Sequence, residues 1–410
     1  QLCGLLELHR RAGRLPLRDV VAPAAAWARD GFPLSLQIAT IVGLIAPIAR
    51  RSPLVARLFL PAGRLPQAGD RLANPDLGDF LHALGEGDAD AQLARYETAL
   101  CEHFGPAHGG LITASDVAAY APVLREPLRI PFGRHTVLTN PPPAAGGGLI
   151  GAGLRVAESL ALGREEFLSL EHQLAVAAVL AAVSRLRNAD YDRRLHDDPA
   201  AIREWVGGAC MPTWVELARS LRRENALGAT THISVIDSEG MAAAMTTSNG
   251  EGCGHALPGL GIHVNNFLGE EDINPAGFHR LVPGSWMSTM MSPTIVIADE
   301  RPCFALGSGG SNRIRSAILQ ALLNLLIYRR PLDEAVNAAR LHVEGRQLWF
   351  ESMGLQAGAA AALGAAWPGA TCFEARSMFF GGVNCVGSAD GELFGAGDRR
   401  RGGVVAIAEP

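Results

Sequence analysis

A threonine that can become a chain terminus is the most reactive possibility in this sequence. Ala229-Thr230-Thr231-His232-Ile233-Ser234-Val235-Ile236-Asp237 starts polar and becomes an alternating run. If the Ala229–Thr230 bond breaks, the Thr230 hydroxyl is a nucleophile and its own α-amine is the adjacent base. An α-amine titrates near ~7.7–8.0, so a useful fraction is neutral at physiological pH. On pattern alone the same residues also read as β-branched residues favouring a strand. A second stretch, Gly307-Ser308-Gly309-Gly310-Ser311-Asn312, lies between a predicted strand and a predicted helix. Backbone N–H groups there can point at an anion, and glycine permits close approach. It is not a nucleotide-phosphate loop. Asn312-Arg313 replaces the required Gly-Lys-Ser/Thr, and the Gly-x-Gly-x-x-Gly spacing is not met. His232 neighbours Thr230 but points inward from a strand, and reads as structural. His255, His263 and His342 show no metal spacing, and His103 and His108 lack the i,i+4 geometry of a helical zinc site. Arg399, Arg400 and Arg401 read as a solvated or ion-paired surface.

These groups need elements to position them. Thr231–Ile236 and Met241–Thr247 read as strands joined by a turn at Ser238-Glu239-Gly240. Ile262–Asn265, Thr294–Ile297 and Cys303–Leu306 are further predicted strands. Asn312 to Tyr328 is predicted as an amphipathic helix with Ile314, Ile318, Leu322 and Leu325 on one face. Asp333 is predicted to cap a helix running through Arg340, and Asp390-Gly391 is a strong hairpin signal. Upstream, residues 1–108 read as mostly helical, with helices at Ser35–Ile48 and Asp88–Phe104. Thr113 and Asp116 mark a capped helix start. Leu128–Ile130 and His135–Leu138 are predicted as short strands. Pro141–Gly148 reads as a rigid loop that becomes helix at Leu149. Glu171–Arg187 is an alanine-rich helix. Ile202–Val206 and Thr213–Arg222 also read as helical, and Asn225–Ala229 is a polar linker where a scissile bond sits exposed. Helices, then strands, then both, predict a layered α/β arrangement.

The run TTHISVIDSEG (Thr230–Gly240) resembles the threonine motif of the γ-glutamyltranspeptidases, which are N-terminal-nucleophile hydrolases. The resemblance continues in family order at Thr247-Ser248-Asn249, GIHVNN (Gly261–Asn266) and SWMSTMMSPTIV (Ser285–Val296). It includes GSGGSNRI (Gly307–Ile314), EAVNAARLH (Glu334–His342) and DGELFGAGDRR (Asp390–Arg400). Upstream, LPLRDVVAPAAAWARDGFPLS (Leu15–Ser35), LITASDVAAY (Leu111–Tyr120), PPPAAGGG (Pro141–Gly148) and NADYDRR (Asn188–Arg194) also fit. It implies a four-layer αββα sandwich. It also implies self-cleavage before Thr230 into residues 1–229 and 230–410, two chains intertwined in one domain.

The resemblance further assigns roles. A second threonine, two residues before a substrate-binding asparagine, hydrogen-bonds the nucleophile. Anchoring on Asn249 makes this Thr247, with Ser248 the next choice. The glycine stretch becomes an oxyanion hole. Against the family's GSPGGSRI, an equal-length match puts Gly309 on the proline and Gly310 and Ser311 on the glycine pair. A shift by one residue gives Gly309 and Gly310 instead. Asn249, Ser288 and Thr289 match positions that hold the glutamyl group, with Asn249 taking the α-amine and the hydroxyls donating to the α-carboxylate. Glu270 falls on the second of the family's paired aspartates. Phe267 stands where the family has glutamine and cannot bond the amine as glutamine does. The lid segment around Asn274–Trp286 is also altered.

Composition excludes several other classes. Of 410 residues, 48% are hydrophobic and 19% charged, which suits a packed globular chain rather than disorder. A net charge of −5 argues against a nucleic-acid binder. No apolar run reaches the ~18 residues of a membrane span. The seven cysteines are odd in number and scattered, so they read as buried free thiols rather than a disulfide framework or metal site. The family has a further segment ahead of Gln1, carrying any signal peptide and an arginine that grips the donor's α-carboxylate. The sequence therefore reads as incomplete at its start, and no targeting segment fixes a compartment. The resemblance implies a periplasmic or extracellular setting, with a cytoplasmic one left open.

The leading expectation is γ-glutamyl transfer from glutathione or a similar amide to water, an amino acid or a peptide. No cofactor or metal is implied. One alternative is an acylase acting on a non-glutamyl amide, as in cephalosporin-acylase relatives, with Phe267 lining an apolar pocket. The other is an inactive scaffold.

Overall fold

Capping residues fix where the first helices begin. The computed structural model describes residues 1–207 and 230–408. Helices α1 (Leu2–Ala12), α2 (Leu17–Asp30) and α3 (Leu36–Ala49) are followed by α4 (Pro53–Phe59), α5 (Pro75–Glu86), α6 (Ala89–Phe104) and α7 (Ala114–Ala119). The side chains of Ser35, Ser52, Asn74 and Asp88 each accept from a first-turn backbone N–H, as short polar residues do at helix starts. Thr113 and Asp116 form the expected reciprocal capping box. Strands β1 (Phe32–Pro33) and β2 (Arg71–Leu72) pair within this region.

The chain continues through β3 (Leu128–Phe132), β4 (His135–Thr139), α8 (Ala145–Ser159), α9 (Leu170–Leu186), α10 (Ala189–Asp197) and α11 (Pro199–Gly207). The helix expected at Thr213–Arg222, and the linker Asn225–Ala229 with its expected scissile bond, lie outside the described residues. Next come β5 (Thr230–Ile236), β6 (Ala242–Ser248), β7 (Ala256–Leu257), β8 (Ile262–His263), β9 (Thr294–Ala298) and β10 (Arg301–Gly309). The last elements are α12 (Arg313–Leu326), α13 (Leu332–Asn337), β11 (Leu341–Glu344), β12 (Gln347–Glu351), α14 (Ala359–Ala366), β13 (Thr371–Phe373), β14 (Gly382–Ala389) and β15 (Glu392–Ala396).

Two compact units result. The first joins Gln1–Arg125 to Glu251–Asn266. Inside it, Asn74 Nδ2 donates to the Gly261 carbonyl at 2.8 Å, and Phe80, Leu257 and Leu260 form an apolar cluster. The second joins Glu126–Gly250 to Phe267–Pro410 and carries every candidate site residue.

The second unit is built on an antiparallel sheet of order β15-β14-β10-β9-β4-β3. Helices α8, α9 and α12 pack together on one face. The two-stranded ribbon β5–β6 lies on the other. The alternation of β10 explains this arrangement. Leu306 enters the main apolar cluster on the helix side. Gly307 and Gly309 face the ribbon, against His232 and Thr230. At Gly307 the His232 ring fills the space left by the missing side chain, and at Gly309 the Thr230 main chain lies directly on β10.

Several expectations change. The glycine stretch was expected wholly between strand and helix, but β10 runs on to Gly309. Helix α8 begins at Ala145, inside the segment read as a loop. Its glycines are there for packing: a methyl on Gly146 would overlap Ser292 Oγ and the Met290 carbonyl. Close packing overrides glycine's poor helix propensity. Helix α12 is buried on all sides from Arg313 to Leu325, rather than amphipathic against solvent. Its polar groups are satisfied internally, with Ser316 Oγ 2.8 Å from His342 Nδ1 and Gln320 Nε2 donating to the Leu341 carbonyl at 2.8 Å. Pro331, not Asp333, occupies the cap of α13, which ends at Asn337. Arg400 is buried rather than a surface residue, paired with Glu351 and Asp398, while Arg399 pairs with Asp333 at the surface. Of the six described cysteines only Cys385 is buried, and Cys372 is exposed. The Asp390-Gly391 hairpin forms as expected, with both residues at positive φ.

Candidate active site

Thr230 opens β5 and pairs with Ser248 at the end of β6. The register runs Thr230↔Ser248, Thr231↔Thr247, His232↔Thr246. Residues opposite one another in an antiparallel pair share a face. Thr230 Oγ1 donates to Ser248 Oγ at 3.2 Å, and Ser248 Oγ also accepts from the Gly250 N–H at 3.0 Å. Thr247, the first choice for that bond, lies opposite Thr231 on the other face of the ribbon. Side chains alternate along a strand, so position 248 meets Thr230 and 247 does not.

His232 follows on the Thr230 face and is buried. Its Nδ1 lies 2.8 Å from Thr246 Oγ1 and its Nε2 2.7 Å from Ser234 Oγ. Burial pulls its pKa down to about 4, so the ring is neutral at physiological pH. The His232 carbonyl accepts from Asn384 Nδ2 of β14 at 3.1 Å, tying the ribbon to the sheet. This histidine holds the ribbon in place.

β10 ends beneath Thr230. A methyl on Gly309 would overlap the Thr230 carbonyl oxygen and come within 3.3 Å of Thr230 Cβ. The chain then turns through Gly310 at φ +128° and Ser311 at φ +51°. The second value is uncommon outside glycine. It agrees with the equal-length match, in which Ser311 falls on a glycine position. Asn312 Oδ1 accepts from Arg187 Nη1 at 2.5 Å, which ties this turn to the end of α9.

The expected substrate-binding residues are more dispersed. Asn249 is exposed just beyond β6, and Glu270 is half-buried in a short turn where its carbonyl accepts from Asn274 Nδ2 at 2.6 Å. The Thr289 carbonyl accepts from the Ala145 and Gly146 N–H groups at the start of α8, and its hydroxyl accepts from the Met291 N–H at 3.1 Å. Ser288 is buried, with Oγ 3.3 Å from His196 Nε2. It lines a cavity of about 1030 Å3 between α10 and the 271–288 segment. Thr230, Ser248, Gly309 and the Gly310–Ser311 turn are thus brought together directly. The Ser288 cavity connects to that turn through Arg187, which lines the cavity and bonds Asn312.

His196, Arg187 and Arg185 escaped the sequence reading. His196 follows Asp192 by one helical turn on α10, a spacing shared by many ordinary helices. Only the tertiary fold sets it against Ser288. Among the described residues, no group of three or more His, Cys, Asp or Glu could hold a metal ion, and no helix is long and apolar enough to cross a membrane.

Known proteins resemble this chain along most of its length. The chain is 31% identical over 366 residues to the acylase ACY 1 proenzyme of Pseudomonas sp. (strain SE83), covering 85% of this chain and 64% of the relative. It is 26% identical over 362 residues to a glutathione hydrolase proenzyme of Pseudomonas aeruginosa, covering 83% of this chain and 64% of the relative. The chain thus spans somewhat under two thirds of these relatives. The fold matches a cephalosporin acylase from Bacillus halodurans at a TM-score of 0.76 and 21% identity, over 98% of this chain and 76% of that one. That likeness shows a shared fold of mixed helix and sheet. The sequence pattern of the family described as gamma-glutamyltranspeptidase matches residues 1–408, and the chain belongs to that family.

Proposed function

We propose that this chain is the catalytic portion of a self-processing amide hydrolase in which Thr230 is the acylated residue. Cleavage before Thr230 yields segments 1–229 and 230–410, which stay associated as a heterodimer. The observation that carries this reading is the Thr230 hydroxyl on Ser248 directly over Gly309 and the positive-φ turn. Once freed, the Thr230 amine takes the hydroxyl proton as the oxygen attacks an amide carbonyl. Backbone N–H groups of the Gly309–Ser311 turn receive the oxyanion. The Thr230 ammonium gives that proton to the departing amine as the C–N bond breaks, and water or an amine acceptor then displaces the acyl group from the threonine oxygen. No cofactor enters these steps.

For the acyl group, a dicarboxylic amide without an α-amine, of the glutaryl type, fits the residues best. The family's amine-binding asparagine stands two residues after the partner of the nucleophile. That partner here is Ser248, so the place falls on Gly250, with Asn249 one residue short. Phe267 further removes the glutamine acceptor. The Pseudomonas relative named an acylase and the neighbour named a cephalosporin acylase agree with this choice. A second reading, γ-glutamyl transfer from glutathione, is supported by half-buried Glu270 at an acidic position of the family and by the relative named a glutathione hydrolase.

Two measurements test this. Mass spectrometry of full-length protein should give a fragment opening with Thr-Thr-His, absent in Thr230→Ala. An uncut, active wild type overturns the mechanism. Glutaryl p-nitroanilide should be turned over at least tenfold faster than the γ-glutamyl compound. The reverse order installs the second reading.

A further inference from the structure

Arg399, Arg400 and Arg401 share one short turn after β15 but differ in what they touch. Arg399 pairs with Asp333, and Arg400 pairs with Glu351 and Asp398. The Arg401 guanidinium forms no ion pair among the described residues, and its buried Nε has no hydrogen-bond partner. Its Nη2 donates to the Met378 carbonyl at 3.1 Å. Asp398, the carboxylate whose charge acts on it, is already held by Arg340 at 2.7 Å and by Arg400 at 3.3 Å.

Two glycines let this side chain reach the candidate site. A methyl on Gly382 would overlap Arg401 Cβ, Cγ and Cδ, so the stem lies along the first residue of β14. A methyl on Gly310 would stand 3.4 Å from Arg401 Nη2 and 2.8 Å from Gly381 Cα. The guanidinium therefore rests against the Gly310–Ser311 turn. Gly309, one residue earlier, lies against Thr230.

A half-buried guanidinium without a carboxylate is held at a cost. Burial pulls the Arg401 pKa down, with Asp398 opposing. The arrangement is poor for a resting protein and favourable for a reaction that creates an anion. Interactions that strengthen as charge develops are the ones that lower a barrier. A preset cation beside oxyanion donors gains its counter-ion only in the tetrahedral intermediate. The same contact braces a turn whose Ser311, at φ +51°, needs support from its surroundings.

We propose that Arg401 is a positioning residue for the Gly309–Ser311 turn: its guanidinium braces Gly310 and supplies the positive charge against which an oxyanion forms. The part played in turnover rests on Thr230 being the acylated residue; binding of an anion at the turn does not.

Calorimetry and kinetics on the processed full-length protein separate the two. Butane-1-sulfonate, a tetrahedral monoanion, is compared with valeramide, a planar neutral amide. Wild type should bind the sulfonate about tenfold more tightly or better. Arg401→Met keeps the stem and removes the charge. It should abolish most of that preference and leave valeramide unmoved, and Arg401→Lys should recover most of it. With glutaryl p-nitroanilide, Arg401→Met should lower kcat about tenfold or more with KM little changed, and Arg401→Lys should again recover most of the loss. Equal binding of the two probes by wild type overturns the proposal without any variant. So does a sulfonate preference that survives in Arg401→Met. Equal losses in Arg401→Met and Arg401→Lys would reduce the arginine to packing and overturn it too. Sulfonate binding through Arg401 with no anilide turnover would keep the anion site and discard the acylation reading.

Discussion

Thr230 Oγ1 hydrogen-bonds Ser248 Oγ at 3.2 Å across the first rung of the β5–β6 ribbon. A bond to a group that gains or loses charge contributes about 1.5–3 kcal/mol, or roughly 10- to 150-fold in rate. Ser248→Ala should lower kcat by an amount in that range, with KM little changed. Thr247→Ala, on the far face, should leave kcat within about threefold. Steady-state kinetics on the processed enzyme check both. The opposite ranking would place the nucleophile's partner at 247.

Gly309 lies against the Thr230 carbonyl, so any side chain there must push the threonine away. Displacement of a reacting group by about 1 Å can cost ~100-fold. Gly309→Ala should slow both self-cleavage and turnover by about that factor, read by gel and by anilide assay. A normally processed, fully active Gly309→Ala enzyme would show that the contact does not set the geometry.

His172, His232 and His342 are each pulled down to about 4 from the usual 6.5, in every case first by burial. Between those values the unfolded chain binds more protons than the folded one. Stability therefore rises with pH through that window and falls on acidification. Each histidine contributes a slope of up to ~1.4 kcal/mol per pH unit. Denaturant midpoints between pH 7 and 4.5 should fall steadily, and His172→Gln should flatten the fall. An unchanged slope in that variant would rule out His172 as a contributor.

Arg400 and Glu351 form a fully buried pair at 2.5 Å, with Arg340 and Asp398 beside it. Removing one partner of a buried pair leaves an uncompensated charge and costs about 3–5 kcal/mol. Glu351→Gln should destabilise by that amount in equilibrium unfolding. A loss below about 1 kcal/mol would mean the site relaxes or admits water.

Much of the site was legible because local signals and tertiary demands agree. Thr230 through Asp237 alternates as a strand, and Gly240 supplies the turn. The register, which decides between Ser248 and Thr247, was not legible. It depends on pairing over 18 residues of separation, and a slip of one position exchanges the faces. Gly146 and Arg400 were misread for a related reason. Glycine normally marks a loop and arginine a surface, and only dense packing in one case and a buried carboxylate in the other reverse those expectations. The cavity wall is drawn from four separate parts of the chain, and no spacing rule joins Arg185 to Ser288.

The bare stripe on β10 has an effect that reaches past packing. Where two main chains meet without intervening groups, their separation is dictated by peptide dimensions, which do not vary with sequence. At Gly309 the Thr230 hydroxyl is therefore registered against the turn by a ruler common to all polypeptides. Loops around it are free to diverge in what they admit, while the placement of Thr230 stays put.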